Sequence, residues 1–293
     1  MDTNSNQSDN TAVVLISHGS SLPYAEETFS QIKEKFSKKS HLSCEVGYMK
    51  VSHPTIAEAV DILKNENPDS DKIIALPVFL APGIHTNIDI PILLGLNPLE
   101  KDPRCPDGVY PPEHYLSVAG EVDFDGEIDL LSPIGPDERL LDIIDKRISE
   151  ALEDSKSHGE VGVLLVSHGS RLNYNREFIT ELFHKFQKKC DLPSDFGFME
   201  LCEPSIPESI NKLTSENQIR RLVVVPVFIA PGMHTTHDIP HILGLSQEHT
   251  HHHHGHTHDL TPVDFEGEIL YPEPIGADDI LIDILISKVD DKL

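Results

Sequence analysis

Short runs of aliphatic and β-branched residues, each closed by a polar or glycine-bearing turn, alternate along the chain with stretches whose apolar residues recur at helical spacing. Ala12 to Ser17 is the first such run. It is apolar until its last residue, as expected of a parallel strand buried on both faces. The spacing then predicts a helix over Tyr24 to Phe36, a strand over Glu45 to Val51 and a helix over Pro54 to Leu63. In that helix the proline stands near the start, where its missing N–H costs nothing. A third strand follows over Ile73 to Phe79, a short helix over Asp89 to Leu94, a fourth strand over Glu127 to Leu131 and a last helix over Asp137 to Ile148. Strands alternating with helices imply a parallel sheet with helices on both faces.

The same order then runs a second time. Leu15-Ile16-Ser17-His18-Gly19-Ser20 returns as Leu165-Val166-Ser167-His168-Gly169-Ser170. Pro77 to Thr86 returns as Pro226 to Thr235, and Val122 to Ile128 as Val263 to Ile269. The offset is 150 for the first pair (168 against 18), 149 for the second (234 against 85) and 141 for the third (263 against 122). The length difference therefore falls between the second and third matches, where a surface loop tolerates it. The period is too long for a solenoid and fits two tandem domains. The expected fold is α/β: two homologous domains, 1–155 and 156–293, each a four-stranded parallel sheet with helices on both faces.

Composition narrows the class. Of 293 residues, 38% are hydrophobic and 25% charged, enough for a packed core, and with no Trp that core rests on Ile, Leu and Val. The formal charge of −26 excludes the basic footprint of nucleic-acid binding and disfavours anionic lipid. No apolar run reaches membrane-spanning length, and Met1 to Asn10 lacks the features of a signal peptide, so a soluble cytoplasmic protein is expected. Cys44, Cys105, Cys190 and Cys202 form no CxxC pair and are expected reduced and structural, Cys44 and Cys202 within strands.

Ligands of open parallel sheets bind beyond the carboxyl ends of the strands. His18 directly follows the first strand, and His85 lies a short loop beyond the third. These strands are expected to be neighbours, which brings both imidazoles to one cleft. The duplicate supplies His168 and His234. A single histidine at a strand end is more often a turn or packing residue; two at two strand ends, both present in each repeat, favour a functional role. Neutral imidazole is a transition-metal ligand and a proton acceptor near neutral pH. The Gly19-Ser20 and Gly169-Ser170 turns could offer backbone N–H groups to a carboxylate, or simply turn the chain. The halves differ at one informative place: Met49-Lys50-Val51 aligns with Met199-Glu200-Leu201. Glu200 can join His168 and His234 as a carboxylate ligand. Lys50 cannot, but can pair with a substrate carboxylate.

With these motifs in place, the chain resembles the class II tetrapyrrole chelatases, in particular the short archaeal sirohydrochlorin cobaltochelatases and nickelochelatases. The resemblance rests on Ser-His-Gly-Ser, on Gly-Ile-His-Thr or Gly-Met-His-Thr followed by Asp-Ile-Pro, and on Glu273 to Asp279. It covers most of both halves, the second more closely. The short enzymes resemble one half and work as homodimers. The resemblance therefore implies a fused pseudo-dimer, monomeric as a chain, that inserts a divalent metal into sirohydrochlorin in cobalamin biosynthesis, a lyase-class reaction. It implies His18 and His168 as proton acceptors and metal ligands, His85 and His234 as metal ligands, and Glu200 as both metal ligand and substrate contact, with Lys50 at the matching place. It also implies that Leu80, Ala81, Pro82, Gly83 and Ile84, and Ile229, Ala230, Pro231, Gly232 and Met233, touch the macrocycle. No organic cofactor is implied. The metal is a substrate, Co2+ favoured, with Ni2+ and Fe2+ left open. Sirohydrochlorin carries eight carboxylates, so a chain this acidic needs local donors; candidates are Lys50, Arg171, Arg176 and the two His-Gly-Ser turns.

One segment has no counterpart in the first half, which has Pro103 to Pro112 there instead. His249, His251, His252, His253, His254, His256 and His258 crowd a polar stretch suited to collecting metal rather than to catalysis. Taken alone it would suit a metal store or metallochaperone, but storage has no use for duplicated strand-end histidines.

Overall fold

The computed structural model describes residues 10–246 and 262–293; His249 to His258 lie outside the described residues. In the first repeat β1 (Thr11–Ser17), α1 (Pro23–Ser40), β2 (Ser43–Tyr48), α2 (Ile56–Glu66) and β3 (Lys72–Pro77) follow in order. A single π-helical turn (His85–Asp89) then runs into α3 (Ile90–Leu93), followed by α4 (Tyr115–Val118), β4 (Glu127–Leu130) and α5 (Arg139–Glu153). The second repeat has β5 (Glu160–Ser167), α6 (Asn173–Lys189), β6 (Ser194–Phe198), α7 (Ile206–Glu216) and β7 (Ile219–Pro226). A second π turn (His234–Asp238), α8 (Ile239–Ile242), β8 (Glu268–Leu270) and α9 (Asp279–Asp290) complete it.

Each repeat builds a four-stranded, all-parallel sheet, in the order β2-β1-β3-β4 and β6-β5-β7-β8. The first strand of each repeat thus pairs with the third, as the histidine placement required. The pleat sorts the buried aliphatics. Ala12, Val14 and Ile16 join Ile56, Ala59, Val60 and Leu63 of α2 in one core, while Val13 and Leu15, also fully buried, point to the opposite face. Leu164 and Val166 repeat this with Ile206, Ile210 and Leu213 of α7.

Local chemistry differs from expectation at several points. Pro54 is not the first residue of α2. The peptide before it is cis, and Thr55 caps the helix instead, accepting from the Glu58 N–H while the Glu58 carboxylate takes the Thr55 N–H. The second strand ends at Tyr48, three residues before the predicted Val51, because the chain turns sharply to bring the Met49 and Lys50 N–H groups onto the carbonyls of Ser17 and His18. Cys202 therefore lies in the bend after β6, not in a strand. Its thiol donates to the Ser170 carbonyl and accepts the Ser170 N–H, the same two bonds Ser52 makes with Ser20.

The boundary of compact packing also differs from the boundary of sequence repetition. One unit comprises Met1–Gly135 with Ala277–Leu293, the other Pro136–Gly276. Helix α9, encoded at the end of the second repeat, packs on α1 and β3. There Lys35 pairs with Asp279, and Lys39 with Asp283. Helix α5, encoded at the end of the first repeat, packs on β7 and α6, and its Arg147 donates to the carbonyls of Pro274 and Ile275. The two terminal helices are exchanged.

This exchange makes a directional prediction. Leu285 of α9 is fully buried in the unit that holds β1 to β4. Leu285→Ala should cost about 2–5 kcal/mol, with the loss of hydrogen-exchange protection concentrated in β1 to β4. Loss concentrated in β5 to β8, the strands of its own repeat, would show that the helix is not exchanged.

Candidate functional site

His18 stands one residue past β1, on a turn that only glycine completes. Gly19 has φ +87°, and a Cβ there would come within 1.8 Å of the Lys50 carbonyl oxygen; Gly169 repeats this at φ +93° against Glu200. The His18 Nδ1 lies 3.0 Å from the Gly19 carbonyl, and the His168 Nδ1 2.9 Å from that of Gly169. A carbonyl can only accept, so each Nδ1 carries the proton and each Nε2 is left with its lone pair.

The second histidine reaches the site by a pinned loop. After β3 the carbonyls of Phe79 and Leu80 accept from Ile134 and Gly135, and the Gly83 N–H donates to Thr86 Oγ1 at 2.8 Å. After β7 the carbonyls of Phe228 and Ile229 accept from Ile275 and Gly276, so the Glu273 to Asp279 motif holds the loop and, through Asp278, caps α9. The His85 Nδ1 then donates to Asp89 at 2.5 Å, and the His234 Nδ1 to Asp238 at 2.7 Å. A carboxylate on Nδ1 fixes ring and tautomer and makes Nε2 a better donor of electrons. Within each unit the two rings meet edge to face, with centroids 4.9 Å apart for His18 and His85 and 4.6 Å apart for His168 and His234. Among the described residues, no three His, Cys, Asp or Glu side chains are drawn together closely enough to cage an ion as they stand.

The surroundings of the two pairs differ in charge. In the second unit Glu200 Oε1 lies 3.6 Å from His168 Nε2. Beside it opens a cleft of about 680 Å³, lined by Glu200, Leu201, Arg171 and Arg176 among others. In the first unit Lys50 holds the place of Glu200, and its ammonium lies 5.4 Å from the centre of the Tyr115 ring. Burial lowers the affinity of Lys50 for its proton. Burial also pushes His18 down to about 4, against the pull of its Gly19 hydrogen bond and with help from the Lys50 charge. Asp89 is fully buried, which works against its charge, yet hydrogen bonds from His85 and Arg104 hold it below the ordinary carboxylate range. Arg104 in turn bridges Asp89 and Asp102, and the Tyr110 hydroxyl donates to Asp102 at 2.7 Å. Asp238 is 34% exposed, and no arginine bonds it among the described residues.

Of the residues singled out from the sequence, the four histidines converge in two pairs, and Lys50 and Glu200 flank the first member of each. Leu80 to Ile84 and Ile229 to Met233 form the loops leading to the second members, with Met233 exposed. Both serine N–H groups of the Gly-Ser turns, and the Gly169 N–H, are turned inward rather than toward an anion. Ser20 N–H donates to Ser52, Ser170 N–H to Cys202 and Gly169 N–H to Asn175, so these donors are already taken. Arg176 is also engaged, donating to the Glu203 carbonyl at 2.6 Å. Asp89, Asp238 and Arg104 were missed. The histidine and aspartate four residues apart, in both repeats, was the available signal for the first two.

The chain is similar to known proteins in sequence and in fold. The CbiX family model matches residues 12–151 and again 162–292. The sirohydrochlorin cobaltochelatase of Methanothermobacter thermautotrophicus is 45% identical over 137 residues, 46% of this chain and 95% of that protein. That of Methanopyrus kandleri is 44% identical over 140 residues, 45% of this chain and 97% of its own. Among solved structures, SirB from Bacillus subtilis with Fe3+ superposes with a TM-score of 0.63 at 15% identity, over 96% of this chain and 95% of that one. CbiX, described as the terminal enzyme for biosynthesis of siroheme in denitrifying bacteria, gives 0.59 at 17% over 97% and 99%. These two likenesses concern the fold. The doubled family match, laid over two sheets that each present a histidine pair at their strand ends, shows that the chain belongs to the CbiX family, whose unit it carries twice.

Proposed function

We propose that the chain is a sirohydrochlorin chelatase, inserting a divalent metal, Co2+ in the first instance, into the macrocycle. The observation that carries this reading is the pair of convergent imidazoles in each unit, every one held through Nδ1 with Nε2 left as donor. The reaction needs little else. Two pyrrole N–H protons must leave, and the ion must exchange bound water for four ring nitrogens. A neutral Nε2 can ligate the ion or take a proton, and the two charges that enter as M2+ balance the two protons that depart.

The charges support a division of roles. Glu200 beside His168 favours a dication and favours a proton arriving on that imidazole. Lys50 beside His18 opposes both. At 4 Å a pair of unit charges is worth roughly 4 kcal/mol at an effective dielectric of 20, and the sign reverses between the units. His168, His234 and Glu200 therefore receive the metal. The burial that keeps His18 neutral also makes it a weak base, so His18 and His85 act as lone-pair donors, and Lys50 meets a carboxylate of the tetrapyrrole. Iron is the second reading: the solved CbiX is described as the terminal enzyme for siroheme biosynthesis, and SirB is solved both with Fe3+ and with cobalt.

Incubation of the chain with sirohydrochlorin and Co2+, Ni2+ or Fe2+, followed by the change in absorbance, tests the reading. Turnover above the metal-only control is expected, fastest with Co2+. No excess rate with any ion would end the proposal. His168→Ala should lower kcat roughly 100-fold and His18→Ala less than about 10-fold, within the range of acid–base contributions; equal losses would contradict the division of roles. The His18 ring resonance should stay fixed from about pH 7 to about pH 5 and move only near 4. Because the unfolded chain protonates His18 near 6.5 and the folded chain only near 4, this group should reduce stability as pH falls through that window. A resonance midpoint near 6.5 would refute the buried, neutral imidazole.

A further inference from the structure

Between the second strand and second helix of each unit the chain makes an uncommon turn. The Ser52 N–H donates to the Lys50 carbonyl at 2.8 Å, and the Cys202 N–H to the Glu200 carbonyl at 2.7 Å. The residue in the middle has positive φ, +70° at Val51 and +61° at Leu201. A bond from residue i to i+2 with positive φ between them is the rare, strained form of the γ-turn. Glycine would take it freely and asparagine nearly so; a β-branched valine is among the worst residues for it. Each repeat nevertheless puts a large aliphatic side chain there.

Core packing does not repay the strain. Val51 is 65% exposed and Leu201 39% exposed. Neighbours on both sides hold the turn. The Lys50 N–H reaches the His18 carbonyl at 3.3 Å and the Glu200 N–H the His168 carbonyl at 3.1 Å, while Gly19 and Gly169 sit against the carbonyls of Lys50 and Glu200. On the far side, Ser52 and Cys202 are tied to the backbone of Ser20 and Ser170. The backbone that carries the first site histidine is thus the backbone that holds the γ-turn, and an uncovered aliphatic side chain is fixed beside it. Leu201 lines the same cleft as Glu200. Across the site, Met233 precedes His234 and is 48% exposed.

We infer that Val51 and Leu201 are substrate-positioning residues that bear against the flat apolar face of the macrocycle, while the charged groups around them meet its acidic rim. The inference rests on the chelatase reading and deepens it. A tetrapyrrole is flat and apolar on its faces and carries its carboxylates at the edge, so a rigid aliphatic contact beside the first histidine of each unit can hold the ring nitrogens over that imidazole. An exposed, strained aliphatic has no use without such a face.

Glycine substitution separates this role from a structural one. Val51→Gly and Leu201→Gly remove the side chain and the strain together, so Tm should hold or rise. Affinity for metal-free sirohydrochlorin, read by absorbance with metal omitted, should weaken about ten-fold, the scale of one aliphatic contact. KM should rise with it while kcat changes less than about two-fold. Val51→Asn and Leu201→Asn, which tolerate the turn but present an amide, should weaken binding likewise. Glycine variants that bind as the wild type does would overturn the inference and leave the chelatase reading intact. So would asparagine variants that lose Tm together with affinity, or glycine variants that only dissociate a self-associated wild type in sedimentation. A wild-type chain that neither binds nor metallates sirohydrochlorin would sink both.

Discussion

The adjacency of the first and third strands governs each unit. With Ile16 paired to Pro77 and Val166 to Pro226, the chain leaves the two central parallel strands at the same, carboxyl end of the sheet. One exit places a histidine at once; the other reaches its histidine through a longer loop. That loop is accurate because the segment after the fourth strand hydrogen-bonds to its start, through Ile134 and Gly135 or Ile275 and Gly276. The edge strand thus does more than finish the sheet. Its continuation sets where the second imidazole stands, and the Nδ1 acceptors then set which nitrogen keeps its lone pair.

On this common frame the two copies have diverged in charge. Glu26, Lys50 and Ser21 of the first repeat stand where the second has Arg176, Glu200 and Arg171. The first unit also encloses Asp89 with Arg104, Asp102 and Tyr110, a network that offsets the cost of burying that carboxylate. The backbone around each histidine pair is the same in both units. The side chains that decide whether a cation is welcome are not.

Periodicity and repetition were enough to read the succession of strands and helices, the doubling and the four histidines, because each leaves a local or self-similar trace. The helix exchange left none. The last helix of either repeat carries the same amphipathic pattern whichever sheet receives it, and Gly135-Pro136 and Gly276-Ala277 look like ordinary turns. The γ-turns were equally hidden, since valine and leucine signal strand or helix and never positive φ. The predicted extension of the second strand to Val51 was the direct result. The supposed anion cradle lost its serine donors for a related reason: whether a backbone N–H is free depends on a residue 32 positions away, Ser52 for Ser20 and Cys202 for Ser170.

Duplication within one chain is what permits the divergence. In a homodimer each position is encoded once, so replacing the glutamate beside the first histidine by lysine would change both copies together. Encoding the unit twice lets Lys50 arise while Glu200 stays. The exchanged helices then keep the two encoded halves dependent on one another. The unit with Lys50 is completed by residues 277–293 and the unit with Glu200 by α5, so a cut at the sequence repeat boundary would leave each sheet without the helix that buries one of its faces. Two histidine pairs whose surroundings can diverge, in units each completed by a helix from the other repeat, tie the copies together more closely than a simple tandem linkage would.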